Sequence, residues 1–129
     1  MNKIIVEVSV GELLDKISIL EIKQEKIKDP EKLKFIKNEH SILKNQLNTN
    51  VKADTKLNEL FQSLKEINAK LWVIEDDKRQ CENEKDFGEK FIKLSRDVHF
   101  LNDDRARIKL EINNHTGSTI KEIKEYTSY

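Results

Sequence analysis

Four charged residues from two distant parts of the sequence could form a site. Asp15 and Glu21 lie in one stretch with helical periodicity, and Arg105 and Lys109 lie in another. If the two stretches are antiparallel helices of one bundle, the numbers of two residues that face each other should add up to about 124. Asp15 then lies near Lys109, and Glu21 within a short reach of Arg105. Such a group could bind an ionic ligand or form a buried ion-pair network that fixes helix register, and we favour the network.

A second charged cluster comprises Glu75, Asp76 and Arg79. Glu75 and Arg79 are four residues apart, so on a helix they can pair along one face. Clustered carboxylates can bind Mg²⁺, and all-α nucleotide pyrophosphohydrolases use an E-x-x-E pair followed by an E-x-x-D pair on the next helix. The second pair is missing from this sequence. The cluster therefore predicts a solvated helix face, with no metal site and no cofactor.

Other residue types that carry chemistry lack the required spacing. His40, His99, His115 and the single cysteine, Cys81, show no metal-ligand spacing. There is no nucleophile elbow and no glycine-rich phosphate loop. The catalytic residues of any activity therefore remain unknown at this stage.

The overall charge balance narrows the class of partner. Charged residues make up 37% of the 129 residues, and 24 basic residues balance 24 acidic ones. Nucleic acids and anionic membranes attract proteins with a basic excess, so we expect neither as a partner. No apolar run approaches a membrane span, and the first residues do not resemble a signal peptide. We expect one cytoplasmic domain covering residues 1–129.

Four helices are predicted from apolar periodicity and capping signals. The first runs over residues 10–28 after a capping box at Ser9, and the second over 30–47 after Asp29. The third starts near Asp54, and the fourth follows a second capping box at Asp86 and Glu89. A turn near residue 84 implies that facing positions of the last two helices total about 169. Their predicted seams contain Leu57, Leu60, Leu64, Ile67, Leu71, Ile74, Lys78 and Cys81, then Phe87, Phe91, Leu94, Val98, Leu101, Arg105, Ile108 and Ile112.

The two chain ends have strand-like composition. Residues 3–8 are rich in β-branched types, and the tail, residues 118–129, has Thr, Ile and Tyr. An antiparallel bundle brings these ends together. We therefore predict a mainly α protein, an antiparallel four-helix bundle with a short N-terminal strand that could pair with the tail.

Several segments resemble a family of small, uncharacterised bacterial proteins that carry a domain of unknown function. The resemblance covers residues 8–23, 71–76, 86–92 and 102–109, and the first contains the distinctive stretch GELLDKISILEIK. The family has no established activity, so the resemblance implies no reaction. It draws attention to the charged residues of the matching segments, namely Asp15, Lys16, Glu21, Lys23, Glu75, Asp76, Asp103, Arg105 and Lys109.

Two functions from different classes fit these observations. The first is a non-enzymatic helical module for interaction or oligomerisation, expected to be a homodimer joined through residues 3–8 or to bind another protein. Its basis is the long apolar seams and the absence of catalytic motifs. The alternative is an enzyme acting on a small molecule or nucleotide, using the charged residues between helices 1, 3 and 4.

Overall fold

The computed structural model describes residues 2–128, and helices make up most of them. The helices are α1 (Val10–Lys26), α2 (Pro30–Asn50), α3 (Thr55–Glu84) and α4 (Glu89–Thr116). The predicted mainly α class and the helix count are confirmed. In the described part of the chain, no helix is both long and apolar enough to cross a membrane.

Three of the helices begin at the predicted side-chain caps. The Ser9 hydroxyl accepts a hydrogen bond from the Glu12 amide at 3.0 Å, and the Asp54 carboxylate accepts one from the Leu57 amide at 2.7 Å. Asp29 caps α2 in the same way. These oxygens pair with amide donors that have no partner inside the helix, which fixes where each helix begins.

The start of α4 differs from the prediction. Its N-cap is Gly88, which makes no side-chain capping bond, so the predicted capping box at Asp86 and Glu89 is wrong. Asp86 lies in the turn and accepts a hydrogen bond from the Gly88 amide at 3.1 Å. Lys85, with φ of 56°, ends α3 in the left-handed conformation. The Asp86 carboxylate therefore stabilises the turn and does not cap α4.

The core forms around α1, which packs against each of the other three helices, and α3 also packs against α4. Leu14 and Ile17 of α1 are buried at its centre. Among the described helices, α2 packs only against α1, which explains why Leu47 is its one buried residue. The predicted seams are confirmed at the buried positions Leu57, Leu60, Leu64, Leu71, Cys81, Ile108 and Ile112.

The predicted terminal strand pair is wrong, because residues 2–128 contain no β-strand. Residues 3–8 precede α1 without regular structure, and Ile4 and Ile5 are 88% and 81% exposed. A strand is stable only when it can pair its backbone groups, and an isolated pair is marginal in water. The tail instead binds α1, because the Ser118 hydroxyl accepts from the Val10 amide at 3.2 Å, and α4, because the Glu122 carboxylate accepts from the Lys109 ammonium at 2.9 Å. Met1 and Tyr129, at the outer ends of these segments, lie outside the described residues.

Helices α3 and α4 form a long antiparallel hairpin in the predicted register. The Lys78 ammonium lies 5.7 Å from the centre of the Phe91 ring, and His115 contacts Asp54 at 2.9 Å. The residue numbers of both pairs total 169. With 30 residues α3 is about 45 Å long, whereas α1 with 17 residues spans about 26 Å. The turn end of the hairpin therefore projects beyond α1.

Candidate functional site

Asp15 is the centre of a polar network between α1, α3 and α4. Its carboxylate is 2% exposed. One oxygen accepts from Asn68 Nδ2 at 2.8 Å and from Arg105 Nε at 2.9 Å, and the other accepts from Arg105 Nη2. The bidentate contact holds α1 against α4, and the amide of Asn68 adds α3 to the same carboxylate.

Lys109 extends the network toward the end of the bundle where α1 begins. Its ammonium lies 4.0 Å from the Asp15 carboxylate and donates to Glu12 at 2.7 Å and to Glu122 at 2.9 Å. Glu12 belongs to α1 and Glu122 to the tail. Three of the four residues predicted to form a charged group, Asp15, Arg105 and Lys109, are therefore brought together.

The fourth predicted residue, Glu21, lies elsewhere. Its carboxylate contacts His40 Nε2 at 3.1 Å and Lys65 Nζ at 3.3 Å, and Lys65 also binds Glu25 at 3.0 Å. Glu21 follows Asp15 by six residues, which is a rotation of about 240° around the helix. Its side chain therefore points toward α2 and α3, so the predicted approach of Glu21 to Arg105 is wrong.

The network shifts the pKa values of its members. Burial alone raises the pKa of Asp15, but the hydrogen bonds from Arg105 and Asn68, with the charges of Arg105 and Lys109, hold it below its ordinary value. Burial opposes the charge of Lys109 in the same way, yet its bonds to Glu12 and Glu122 raise its pKa. Each buried charge is therefore stabilised in its ionised form by a specific partner.

The buried polar groups of the network are all paired with one another. Asn68 donates to the Ser18 hydroxyl at 2.8 Å as well as to Asp15, and Ser18 donates to the Asp15 carbonyl at 2.8 Å. Across residues 2–128, every buried side-chain nitrogen and oxygen has a hydrogen-bond partner. A complete set of partners is what a structural network requires, because an unsatisfied buried polar group is costly.

A glycine brings α1 and α4 close enough for this network to form. The Gly11 amide donates to the Asn113 side chain at 2.7 Å. A Cβ atom on Gly11 would lie 2.6 Å from the Lys109 carbonyl oxygen, which is closer than such atoms approach. The helices can therefore pack at this distance only if residue 11 lacks a side chain.

The second predicted cluster lies on the exposed side of α3. Glu75, Asp76 and Arg79 are exposed, and within the described chain their side chains make no hydrogen bond or ion pair, so the expected pair of Glu75 with Arg79 does not form. All three line a groove of about 330 Å³ together with Trp72 and Arg105. The two predicted clusters therefore meet at this groove.

Arg105 connects the groove with the buried network. It donates from Nε and Nη2 to Asp15 and from Nη1 to Asn102 at 3.3 Å, which uses three of its five N–H groups. Its side chain is 28% exposed. Two donors thus remain available at the groove surface.

Histidine and carboxylate side chains are dispersed in the structure. His40 binds Glu21, and His115 binds Asp54 at the opposite end of the bundle. In residues 2–128 no group of three His, Cys, Asp or Glu side chains is arranged to hold a metal ion.

Sequence reasoning missed four members of the network: Asn68, Ser18, Glu12 and Glu122. The sequence could have indicated Asn68, because this polar residue directly follows the apolar seam residue Ile67 and so lies close to the helix interface. Glu122 carries none, since its position depends on the path of the irregular tail.

A separate apolar groove lies between α3 and α4. Its volume is about 650 Å³, and its walls include Val73 and Ile74 of α3 and Phe100 and Leu101 of α4. Ala69 and Lys70 complete the α3 side, and Asp97 completes the α4 side. Exposed apolar surface of this kind on a helix pair is typical of a docking surface.

The chain belongs to a family of unknown function, DUF6165, whose model matches residues 4–129. No curated protein of known function matches the chain significantly. No solved structure matches it either. Family membership thus brings no activity with it, and a function has to be argued from the geometry.

Proposed function

We propose that this chain is a non-enzymatic helical interaction module that self-associates as a homodimer. The observation that supports this most is the apolar surface left open on the half of the α3–α4 hairpin that ends at the turn. Val73 is 49% exposed, Ile92 is 55% exposed and Phe100 is 38% exposed. Single exposed apolar residues are normal, but several along one pair of helices mark an interaction site.

The buried polar network supports a structural role for the charged residues. The Asp15 carboxylate is buried and accepts three hydrogen bonds, so it offers little to a substrate. A general acid or base must reach its reactant, and the depressed pKa of Asp15 keeps it ionised and a weak base at neutral pH. The network instead fixes how α1 sits on the hairpin.

A second copy of the chain is the simplest partner. Two-fold homodimers are the commonest soluble assemblies, and they bury the same patch on both subunits. The apolar groove has a cation on one side, Lys70, and a carboxylate on the other, Asp97. One surface with both signs of charge can be complementary to itself.

Light scattering coupled to gel filtration tests the proposal. The chain has a mass of 15.2 kDa. We expect a mass near twice that value at high protein concentration, falling toward the monomer on dilution. A mass of one chain at every concentration would reject the homodimer.

One observation favours the enzyme as a second candidate. The groove is lined by Glu75, Asp76 and Arg79, whose charges are unpaired in the described chain, and by the exposed edge of Arg105. Trp72, the only tryptophan in the sequence, lies beside them. The volume of this groove, about 330 Å³, is at the small end of ligand pockets. A small molecule or nucleotide with both apolar and charged parts could contact these side chains.

Thermal shift with nucleotides, sugar phosphates and Mg²⁺ tests this candidate. A ligand that binds only the folded state raises the melting temperature in a saturable way. Binding in the groove should also change the fluorescence of Trp72 and should weaken in Arg79→Gln. The exposed Arg96→Gln is the matched control, because Arg96 lies outside this groove. If nothing in the screen raises the melting temperature, the second candidate fails.

The proposal also places the protein in the bacterial cytoplasm. Bacterial origin rests on the family resemblance of the matching segments. The location rests on the single cysteine, Cys81, which is a buried free thiol. A chain kept in a reducing compartment has no need of disulfides.

A further inference from the structure

We propose that the homodimer forms through one particular surface, the face of the α3–α4 hairpin that carries the apolar groove. This surface, the open face, comprises Ala69, Lys70 and Val73 of α3 with Asp97 and Phe100 of α4. The inference rests on the proposed self-association and names its interface. The same face of a second copy covers it, so that two hairpins form an intermolecular antiparallel four-helix bundle.

The rest of the described chain does not cover the open face. Helix α1 binds the hairpin through other residues, with polar contacts at Lys65 and Asn68 of α3 and at Arg105 and Lys109 of α4. Among the four described helices, α2 packs only against α1. Both helices are therefore accounted for by other contacts, and none of the described helices covers the open face.

The register of the hairpin favours a two-fold axis parallel to the helices. Such an axis places α3 of one copy against α4 of the other, antiparallel and at the same height, as in a four-helix bundle. Facing pairs then keep the total of 169 that Lys78 and Phe91 show within one copy. Ala69 and Phe100 fit this total. The large ring of each copy thus lies level with the small side chain of the other.

Charge complementarity supports the same axis. Lys70 and Asp97 total 167, so across the dimer they are offset by two residues, or about 3 Å along the helices. The side chain of Lys70 is long enough to reach Asp97 of the other copy across this offset. Lys70 has no ion pair in the described chain, and Asp97 uses only Oδ2, to bind Lys93 at 2.8 Å. A second pair, Asp77 with Lys93, totals 170 and also joins opposite charges.

The other two-fold arrangement is less favourable. A two-fold axis perpendicular to the helices would instead pack α3 of one copy against α3 of the second copy. Near the middle of the open face this brings Lys70 close to Lys70 of the other copy. Like charges facing each other across an interface oppose association, so the charges select the axis parallel to the helices.

The size of the surface predicts a weak to moderate dimer. A contact that extends from the open face to the turn covers α3 from about residue 66, a length of about 30 Å, and two helices are about 20 Å wide. Each copy then buries about 600 Å², or about 1,200 Å² in total. This total is at the low end of specific interfaces, where weak and transient complexes are found, so we expect a dimer that dissociates on dilution.

Two charge reversals test the arrangement. Lys70→Glu and Asp97→Lys each place like charges opposite one another in a homodimer, and each should raise the dissociation constant at least tenfold. When the two variants are mixed, both charge pairs between unlike copies become attractive. We expect each variant alone to be a monomer and the equimolar mixture to recover a dimer of about the wild-type mass by light scattering.

Two further variants keep the test decisive. Val73→Glu should also give a monomer, and Glu39→Gln, on the exposed surface of α2 and away from the hairpin, should leave the dimer intact. Circular dichroism establishes that each variant is folded, which is expected because Val73 and Lys70 lie on a helix surface.

The outcomes separate this inference from the proposed function. A wild-type dimer that survives Val73→Glu, or variants that do not recover in the mixture, would overturn the open face as the interface while leaving self-association in place. Loss of such a dimer with Ile5→Lys would then place the interface at residues 3–8. A wild-type chain that is always monomeric would overturn both proposals.

Discussion

Replacing Arg105 by leucine leaves the most deeply buried carboxylate of the bundle without its main partner. Asp15 would keep the hydrogen bond from Asn68 and the ammonium of Lys109 at 4.0 Å, but it would lose two charge-assisted bonds. Removing one member of a buried ion pair costs about 3–5 kcal/mol. Arg105 is 28% exposed, so water can replace part of the loss. We therefore expect destabilisation of about 3 kcal/mol.

Urea unfolding followed by circular dichroism measures this effect. With a slope of about 1.5 kcal/mol per molar urea, 3 kcal/mol corresponds to a midpoint lower by about 2 M. Wild type and variant need the same protein concentration, because self-association adds to stability. Arg107→Leu is the matched control, since Arg107 and its partner Asp104 are 59% and 51% exposed. Such surface pairs contribute about 0–1 kcal/mol.

The double variant Asp15→Leu/Arg105→Leu identifies the cause. If the loss comes from an unpaired buried charge, removing the carboxylate as well should restore part of the stability lost in Arg105→Leu. An unchanged urea midpoint for Arg105→Leu would refute the reasoning. A double variant less stable than the sum of the two single effects would also contradict it.

Three other changes test the local structure. Ser9→Ala should cost about 1 kcal/mol through the lost cap of α1, and an unchanged melting temperature would show that the cap is redundant. Gly11→Ala should cost about 1–3 kcal/mol, because its Cβ would press on the Lys109 carbonyl. Gly88→Ala meets only an ordinary contact at 3.4 Å, so in the same urea assay it should cost less, through the N-cap position of α4 alone. Asp15 has a folded-state pKa below the unfolded value of 3.8, so the stability it adds is complete above that pH and is lost as the pH falls below it. Unfolding measured from pH 6 to pH 2 should show a steeper acid loss for wild type than for Asp15→Asn, and equal slopes would contradict the assignment.

Local signals in the sequence predicted most of the fold. Ser9, Asp29 and Asp54 are short polar residues before periodic apolar stretches, and all three cap helices in the structure. The hairpin register followed from the turn position alone, as the contact of Lys78 with Phe91 shows. Such features depend on the residues nearby in sequence, and they are therefore readable without tertiary information.

The errors came from features that depend on tertiary packing. Residues 3–8 have strand-forming types, but the tail leaves them unpaired because Ser118 and Glu122 bind elsewhere. Of the candidate site, the pairing of α1 with α4 was predictable from antiparallel packing. The position of Glu21 was not, because its direction around α1 depends on the packing of α2 and α3.

Sedimentation equilibrium of the wild-type chain, from about 1 μM to several hundred micromolar, tests self-association most directly. For a weak dimer with an interface at the low end of the specific range, we expect a mass that rises with concentration from 15.2 kDa toward twice that value. A mass that stays at 15.2 kDa over the whole range would contradict the homodimer and, with it, the role assigned to the open face.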